Sequence, residues 1–124
     1  MEEKKILIVE DNARNRRLLK VLLRSYGYQV IEAQNGAEAL EAVRRNRPDL
    51  ILMDIQLPGI DGLELVRKIK DKFGDIPIIA VTAYAMKGDR ERILSAGCDG
   101  YVSKPIDTRE LPKVIAKALE GGDE

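Results

Sequence analysis

Histidine is absent from the 124 residues. That absence removes imidazole-based zinc sites, histidine general bases and any role as a phosphohistidine donor. Cysteine occurs once, as Cys98, so no intrachain disulfide can form and a reducing compartment is the simplest setting. Its surroundings, Ser95-Ala96-Gly97-Cys98-Asp99, predict a small buried hydrophobe at a helix-to-strand junction rather than a reactive thiol. Net charge is missing too: 21 basic and 21 acidic side chains cancel. No overall field then holds the chain near phosphates, and neither direct nucleic-acid binding nor membrane association is expected. Long apolar runs are also lacking. Met1-Glu2-Glu3-Lys4-Lys5 passes straight into a short apolar segment, with no signal-peptide pattern and no stretch of spanning length. A cytoplasmic location is expected, and any chemistry must run on carboxylates, hydroxyls and lysine.

Apolar residues make up 44% and charged residues 34%, the balance of an ordinary globular chain that can bury one core. The expectation is one domain over residues 1–124, ordered over about 4–120, with Gly121-Gly122-Asp123-Glu124 as a frayed tail. The chain repeats a short apolar run, a turn and an amphipathic stretch. Ile6-Leu7-Ile8-Val9, Leu50-Ile51-Leu52-Met53 and Ile78-Ile79-Ala80-Val81 are continuous apolar runs, as parallel strands covered on both faces require. Tyr28-Gln29-Val30-Ile31-Glu32-Ala33 alternates and Gly100-Tyr101-Val102 is short; both suit sheet edges.

Helix ends are legible between the runs. Arg14 to Tyr26 carries Leu18, Leu19, Leu22 and Leu23 on one stripe, with Asn12 as N-cap and Gly27 beyond the last turn. Asn35 with Glu38, and Asp61 with Glu64, read as capping-box variants. The last helix is expected to begin near Asp107 or Thr108, with Pro112 close to its first turn. Alternating strands and helices predict an α/β fold, a parallel five-stranded sheet doubly wound with helices on both faces. Ligands of such folds bind beyond the C-terminal ends of the strands.

The chemistry-bearing residues fall at those ends. Glu10 and Asp11 follow the first strand, Asp54 closes the third, Thr82 follows the fourth and Lys104 comes just after the fifth. Three carboxylates at one rim repel one another unless a cation or a proton intervenes. A hard divalent ion such as Mg2+ takes oxygen ligands in this way, with Asp11 and Asp54 as direct ligands and Glu10 binding through a water or orienting one of the ligands. Carboxylate, metal, lysine and hydroxyl together favour phosphoryl transfer. Asp54 is the candidate nucleophile, Lys104 the neutralising charge and Thr82 the hydrogen-bond donor.

Ile8-Val9-Glu10-Asp11-Asn12, Leu52-Met53-Asp54-Ile55-Gln56-Leu57-Pro58-Gly59-Ile60-Asp61-Gly62, Val81-Thr82-Ala83-Tyr84-Ala85 and Val102-Ser103-Lys104-Pro105 closely resemble the receiver domain of bacterial response regulators. The likeness runs over essentially the whole chain. It implies a flavodoxin-like (βα)5 fold with strand order 2-1-3-4-5. It implies that Asp54 is the phosphoacceptor, served by a sensor histidine kinase or a histidine phosphotransfer protein. Asp11, Asp54 and the Gln56 backbone carbonyl are then the ligands of Mg2+, with Mn2+ as a substitute, and Glu10 occupies the family's other acidic position. The resemblance makes Thr82 and Tyr101 the switch pair, Lys104 the partner of the phosphoryl oxygens and Lys104–Pro105 a cis peptide. It also places a histidine phosphotransfer partner against the first helix, basic here with Arg14, Arg16, Arg17, Lys20 and Arg24.

Such a protein is a phosphoacceptor switch, not an enzyme acting on other molecules, although it promotes its own phosphorylation and dephosphorylation. Its output is expected through the face formed by the fourth helix, fifth strand and fifth helix, toward an unidentified downstream protein target. Three alternatives remain, of which a flavodoxin-like cofactor binder on the same fold would need a phosphate-cradling loop where Glu10-Asp11-Asn12-Ala13 is acidic. A receiver-like scaffold could work without phosphorylation. A metal-dependent acyl-phosphate phosphatase would need a second carboxylate near the nucleophile, yet Gln56 stands two residues after Asp54.

Overall fold

Successive side chains of a strand point to opposite faces of its sheet, so a continuous apolar run must feed two cores. The computed structural model, which describes residues 3–57, 61–83 and 87–120, has this arrangement. Strands β1 (Lys5–Val9), β2 (Gln29–Ala33), β3 (Leu50–Asp54), β4 (Ile78–Thr82) and β5 (Gly100–Ser103) alternate with helices α1 (Ala13–Ser25), α2 (Gly36–Asn46), α3 (Gly62–Lys72), α4 (Lys87–Ser95) and α5 (Leu111–Leu119). All strand pairs are parallel, in the order β2-β1-β3-β4-β5. The expected order and the two edge strands are therefore present. Pro58, Gly59, Ile60, Tyr84, Ala85, Met86 and the expected frayed tail 121–124 lie outside the described residues.

Ile6, Ile8, Leu50, Leu52, Ile79 and Val81 face one layer, where Leu19 and Leu23 of α1 and Leu111 and Ile115 of α5 cover them. Leu7, Val9, Ile51, Met53, Ile78 and Ala80 face the other, against Ala39 and Val43 of α2, Val66 and Ile69 of α3 and Ile93 of α4. Burying each such side chain contributes roughly 1.5–3 kcal/mol, so the two layers supply most of the driving force.

The caps hold the loops around the strand ends. Asn12 accepts from the Asn15 N–H at 2.9 Å, as an N-cap should. Asn35 accepts from the Glu38 N–H at 2.8 Å, while the Glu38 carboxylate takes the Gln34 N–H at 2.9 Å. That box closes one residue earlier than the usual pattern. Asp61 caps α3 by accepting from Leu63 N–H at 2.9 Å. Helix α5 starts at Leu111, later than the sequence suggested. Proline has no N–H to give the carbonyl four residues back, and for Pro112 that carbonyl belongs to Thr108. The Tyr26 hydroxyl donates to it instead, at 3.0 Å. Residues 107–110 form a turn, in which Asp107 accepts from Arg109 N–H at 2.8 Å.

Cys98 is buried, and burial, reinforced by the Asp99 charge, pushes its thiol up to about 12 from an ordinary 9.0. Three pH units mean roughly 1000-fold fewer thiolates at pH 8. The native protein should thus resist iodoacetamide at a pH where the urea-unfolded chain is alkylated, as intact mass would show. Equal labelling of both states would contradict this burial.

Candidate functional site

The chain leaves β1 for β2 on one side and reaches β3 on the other, so the order reverses between β1 and β3. A crevice opens at the carboxyl ends of those two strands. Glu10 and Asp11 are the first residues after β1, and Asp54 is the last of β3. Glu10 and Asp54 are only 2% and 3% exposed, Thr82 is wholly buried, and Asp11 is exposed. One carboxylate oxygen from each of Glu10, Asp11 and Asp54 lies within 4.8 Å of the others.

Asp54 is held at both oxygens. Its Oδ1 accepts from the Gln56 N–H at 2.9 Å, and its Oδ2 from Lys104 Nζ at 3.2 Å. Lys104 reaches the site because its own N–H donates to the Thr82 carbonyl at 2.8 Å, extending the β4–β5 pairing. Glu10 is less well satisfied. Its Oε2 accepts from Asn12 N–H at 3.2 Å, but its buried Oε1 has no hydrogen-bond partner among the described residues. The Lys104 ammonium stands 3.7 Å from that oxygen, an ion-pair contact only. Burial above all, and then the Asp54 charge, raise the Glu10 carboxyl above its ordinary value; the Asn12 N–H and Lys104 draw it back in part.

A buried carboxylate oxygen without a hydrogen bond is costly. Here it faces two more carboxylates, and the donor set is oxygen alone. That set fits a hard divalent cation such as Mg2+ or Mn2+, and it offers a soft metal neither thiolate nor imidazole. The structure thus gathers Glu10, Asp11, Asp54 and Lys104, with Thr82 joined to Lys104 through its backbone. The Lys104–Pro105 peptide is cis, as expected.

Tyr101 lies farther along. It pairs with Ala80, two residues before Thr82 on the neighbouring strand, so the two side chains leave the same face of the sheet. Its hydroxyl accepts from Arg90 Nε of α4 at 3.0 Å, with the guanidinium carbon 5.7 Å from the ring centre. Gln56 takes a part that its position in the sequence does not reveal. Its side-chain Oε1 accepts from the Ala83 N–H at 3.1 Å and ties the loop after Asp54 to the loop after Thr82. The sequence shows an amide at position 56 but gives no sign of which loop it spans.

Residues 6–116 match the family model described as the response regulator receiver domain. The polar-differentiation response regulator DivK of Brucella anthropi is 50% identical over 118 residues, 94% of this chain and 96% of that protein. The receiver domain of the sensor histidine kinase PA1611 from Pseudomonas aeruginosa PAO1 superposes with a TM-score of 0.87 at 39% identity, over 96% of this chain and 99% of that one. Its crystal structure has a magnesium ion coordinated in the active-site cleft. A CheY-like receiver domain protein from Methanospirillum hungatei JF-1 gives a TM-score of 0.89 at 34% identity, over 96% and 95% of the two chains. With the sheet order, the acidic crevice and the Lys104–Asp54 contact already in place, the chain belongs to the response regulator receiver domains.

Proposed function

We propose that Asp54 takes a phosphoryl group from a phosphohistidine on a sensor histidine kinase or histidine phosphotransfer protein, and that the addition switches the protein's docking face. The observation that carries this reading is the buried Asp54 carboxylate, bonded to Lys104 at 3.2 Å inside a cluster of three acids. Asp11, Asp54 and the Gln56 carbonyl would hold Mg2+, with Glu10 behind a water. When bound, that ion supplies positive charge to the phosphoryl oxygens.

The rest falls to side chains of the chain itself. An Asp54 carboxylate oxygen attacks phosphorus, the bond from phosphorus to the donor imidazole nitrogen breaks, and the imidazole leaves with the electron pair. Lys104, already against Asp54, turns to the transferred oxygens, and the Thr82 hydroxyl donates to one of them. Gln56 is an amide engaged with Ala83, so no second acid stands two residues from the nucleophile to make this a phosphatase for other substrates. We therefore read the protein as a switch that works alongside its kinase in the cytoplasm.

The exposed face of α1 suits the donor. Leu18 and Val21 are 55% and 60% exposed, and the exposed Arg14, Arg17 and Arg24 flank them on the same helix. An apolar centre with a basic rim fits an acidic, helical partner. Toward the output side, added charge at Asp54 would draw Thr82 inward and release Tyr101 from its present place, altering the α4–β5–α5 face.

The test is intact mass after incubation with a small acyl-phosphate donor and Mg2+, beside Asp54→Asn. A metal-dependent gain of one phosphoryl group, lost in the variant, is expected. No gain, even with a range of phosphorylated histidine-kinase donors, would turn the reading toward a docking module that works without phosphorylation.

A further inference from the structure

The backbone that presents Glu10 and Asp11 is itself gripped from outside the crevice. Arg16 of α1 sends Nη1 to the Glu10 carbonyl at 2.8 Å, with the Asp11 carbonyl at 3.5 Å. Its Nε donates to Glu32 Oε1 of β2 at 3.2 Å, and Lys20 Nζ meets the other Glu32 oxygen at 3.1 Å. On its far side the Glu10 N–H donates to the Ala33 carbonyl at 3.0 Å. The Glu10 residue is therefore clamped at its N–H by β2 and at its carbonyl by a guanidinium that β2 also anchors.

A cation in the first turns of a helix faces the positive end of the helix dipole, so Arg16 stands where a positive charge is unfavourable. It also stands beside a candidate site for a second cation. Coulomb's law alone would have it oppose a divalent ion in the crevice. Its fork of donors explains its presence better: a guanidinium can hold a carbonyl and a carboxylate at once in a fixed plane.

We propose that Arg16, anchored by Glu32, is a positioning residue for the cation site, fixing the backbone from which Glu10 and Asp11 project. The inference rests on the cation reading of the crevice given above. Groups that orient metal ligands without touching the metal commonly change affinity by about 10–100-fold when removed. The clamp acts on backbone rather than on a ligand atom, so the lower end applies.

The two roles of Arg16 predict opposite signs. If the guanidinium matters only through its charge, Arg16→Ala tightens divalent binding. As a clamp, its loss weakens binding roughly 10-fold. Binding of Mn2+ followed by the electron paramagnetic resonance of the free ion, and of Mg2+ by calorimetry, would read the difference on the whole chain. Metal-free urea unfolding shows whether the fold survives. Arg16→Gln keeps one amide donor without the charge. It should recover part of the affinity, and it carries the same test if the alanine variant does not fold.

Weaker binding in Arg16→Ala, partial recovery in Arg16→Gln and little change in metal-free stability would support the clamp. Unchanged or tighter binding in the variants, with the parent binding normally and Asp54→Asn impaired, would overturn the clamp alone. A parent that binds neither ion would overturn the cation reading and this inference with it.

Discussion

Lys104→Ala is expected to give a folded protein about 2 kcal/mol less stable than the parent at neutral pH without divalent cations, with the deficit fading on acidification. Removing one partner of a buried ion pair commonly costs about 3–5 kcal/mol. The Lys104 side chain is 27% exposed, so water screens part of the interaction and the lower figure follows. The pH dependence comes from Glu10, whose carboxyl sits above its ordinary 4.5 because of burial first and Asp54 second. A raised carboxyl binds its proton more tightly folded than unfolded. Its contribution to stability is therefore full below about 4.5 and is lost as pH rises through the folded value. Lys104 is one of the influences lowering that value, so its removal carries the upper edge of the window higher and deepens the loss at neutral pH. Mg2+ should offset the deficit by replacing the lost charge, and should bind the variant more tightly than the parent because no ammonium competes for the same oxygens. Urea unfolding at both ends of the window, with and without Mg2+, would check this. A deficit independent of pH and of Mg2+ would mean that Lys104 matters through the packing of its stem alone. Phosphorylated Lys104→Ala should also fail to pass the signal to its partner, since nothing would link the transferred oxygens to β5.

Much of the fold was legible because parallel strands covered on both faces leave unbroken apolar runs. Ile6 and Ile8 serve one layer while Leu7 and Val9 serve the other, so no polar residue interrupts the pattern. The site was legible for a related reason. Glu10, Asp11, Asp54, Thr82 and Lys104 each sit where a strand ends, and the strand order then brings those ends to one rim. What escaped depends on the reach of side chains between elements that are distant in sequence. Gln56 reaches Ala83, Arg16 reaches the Glu10 carbonyl, and Arg90 reaches the Tyr101 hydroxyl. Periodicity says which face a residue occupies and nothing about which loop it spans. The start of α5 escaped for a local reason: Asp107 looks like a cap, and it does accept N–H bonds, but it caps a turn, and the helix begins only at Leu111.

Gly62→Ala is expected to cost about 3 kcal/mol, the upper end for overpacking, and to slow phosphorylation of Asp54 at the same time. A Cβ at position 62 would be driven into the Ile55 backbone, 2.5 Å from its carbonyl oxygen and 2.6 Å from its carbonyl carbon. A side chain in that place could change rotamer; a peptide group cannot. Either the first turn of α3 must lift from the sheet, straining the Asp61 cap, or the peptide after Asp54 must shift. The second route reaches the site directly. The Ile55 N–H donates to the Val81 carbonyl at 3.3 Å, and the next N–H, of Gln56, holds Asp54 Oδ1 at 2.9 Å. A displaced Ile55 thus disturbs both the β3–β4 pairing and the orientation of the Asp54 carboxylate. Gly88→Ala is the control, since a Cβ there meets nothing within 4 Å and lies in a helix, where alanine is favoured by up to about 1 kcal/mol. Urea midpoints for the two variants should move in opposite directions. The acyl-phosphate reaction should slow only in Gly62→Ala, when both are compared under conditions that keep them folded. A Gly62→Ala protein as stable and as fast as the parent would show that α3 can move away from Ile55 without cost, and that its close approach does not set the geometry of Asp54.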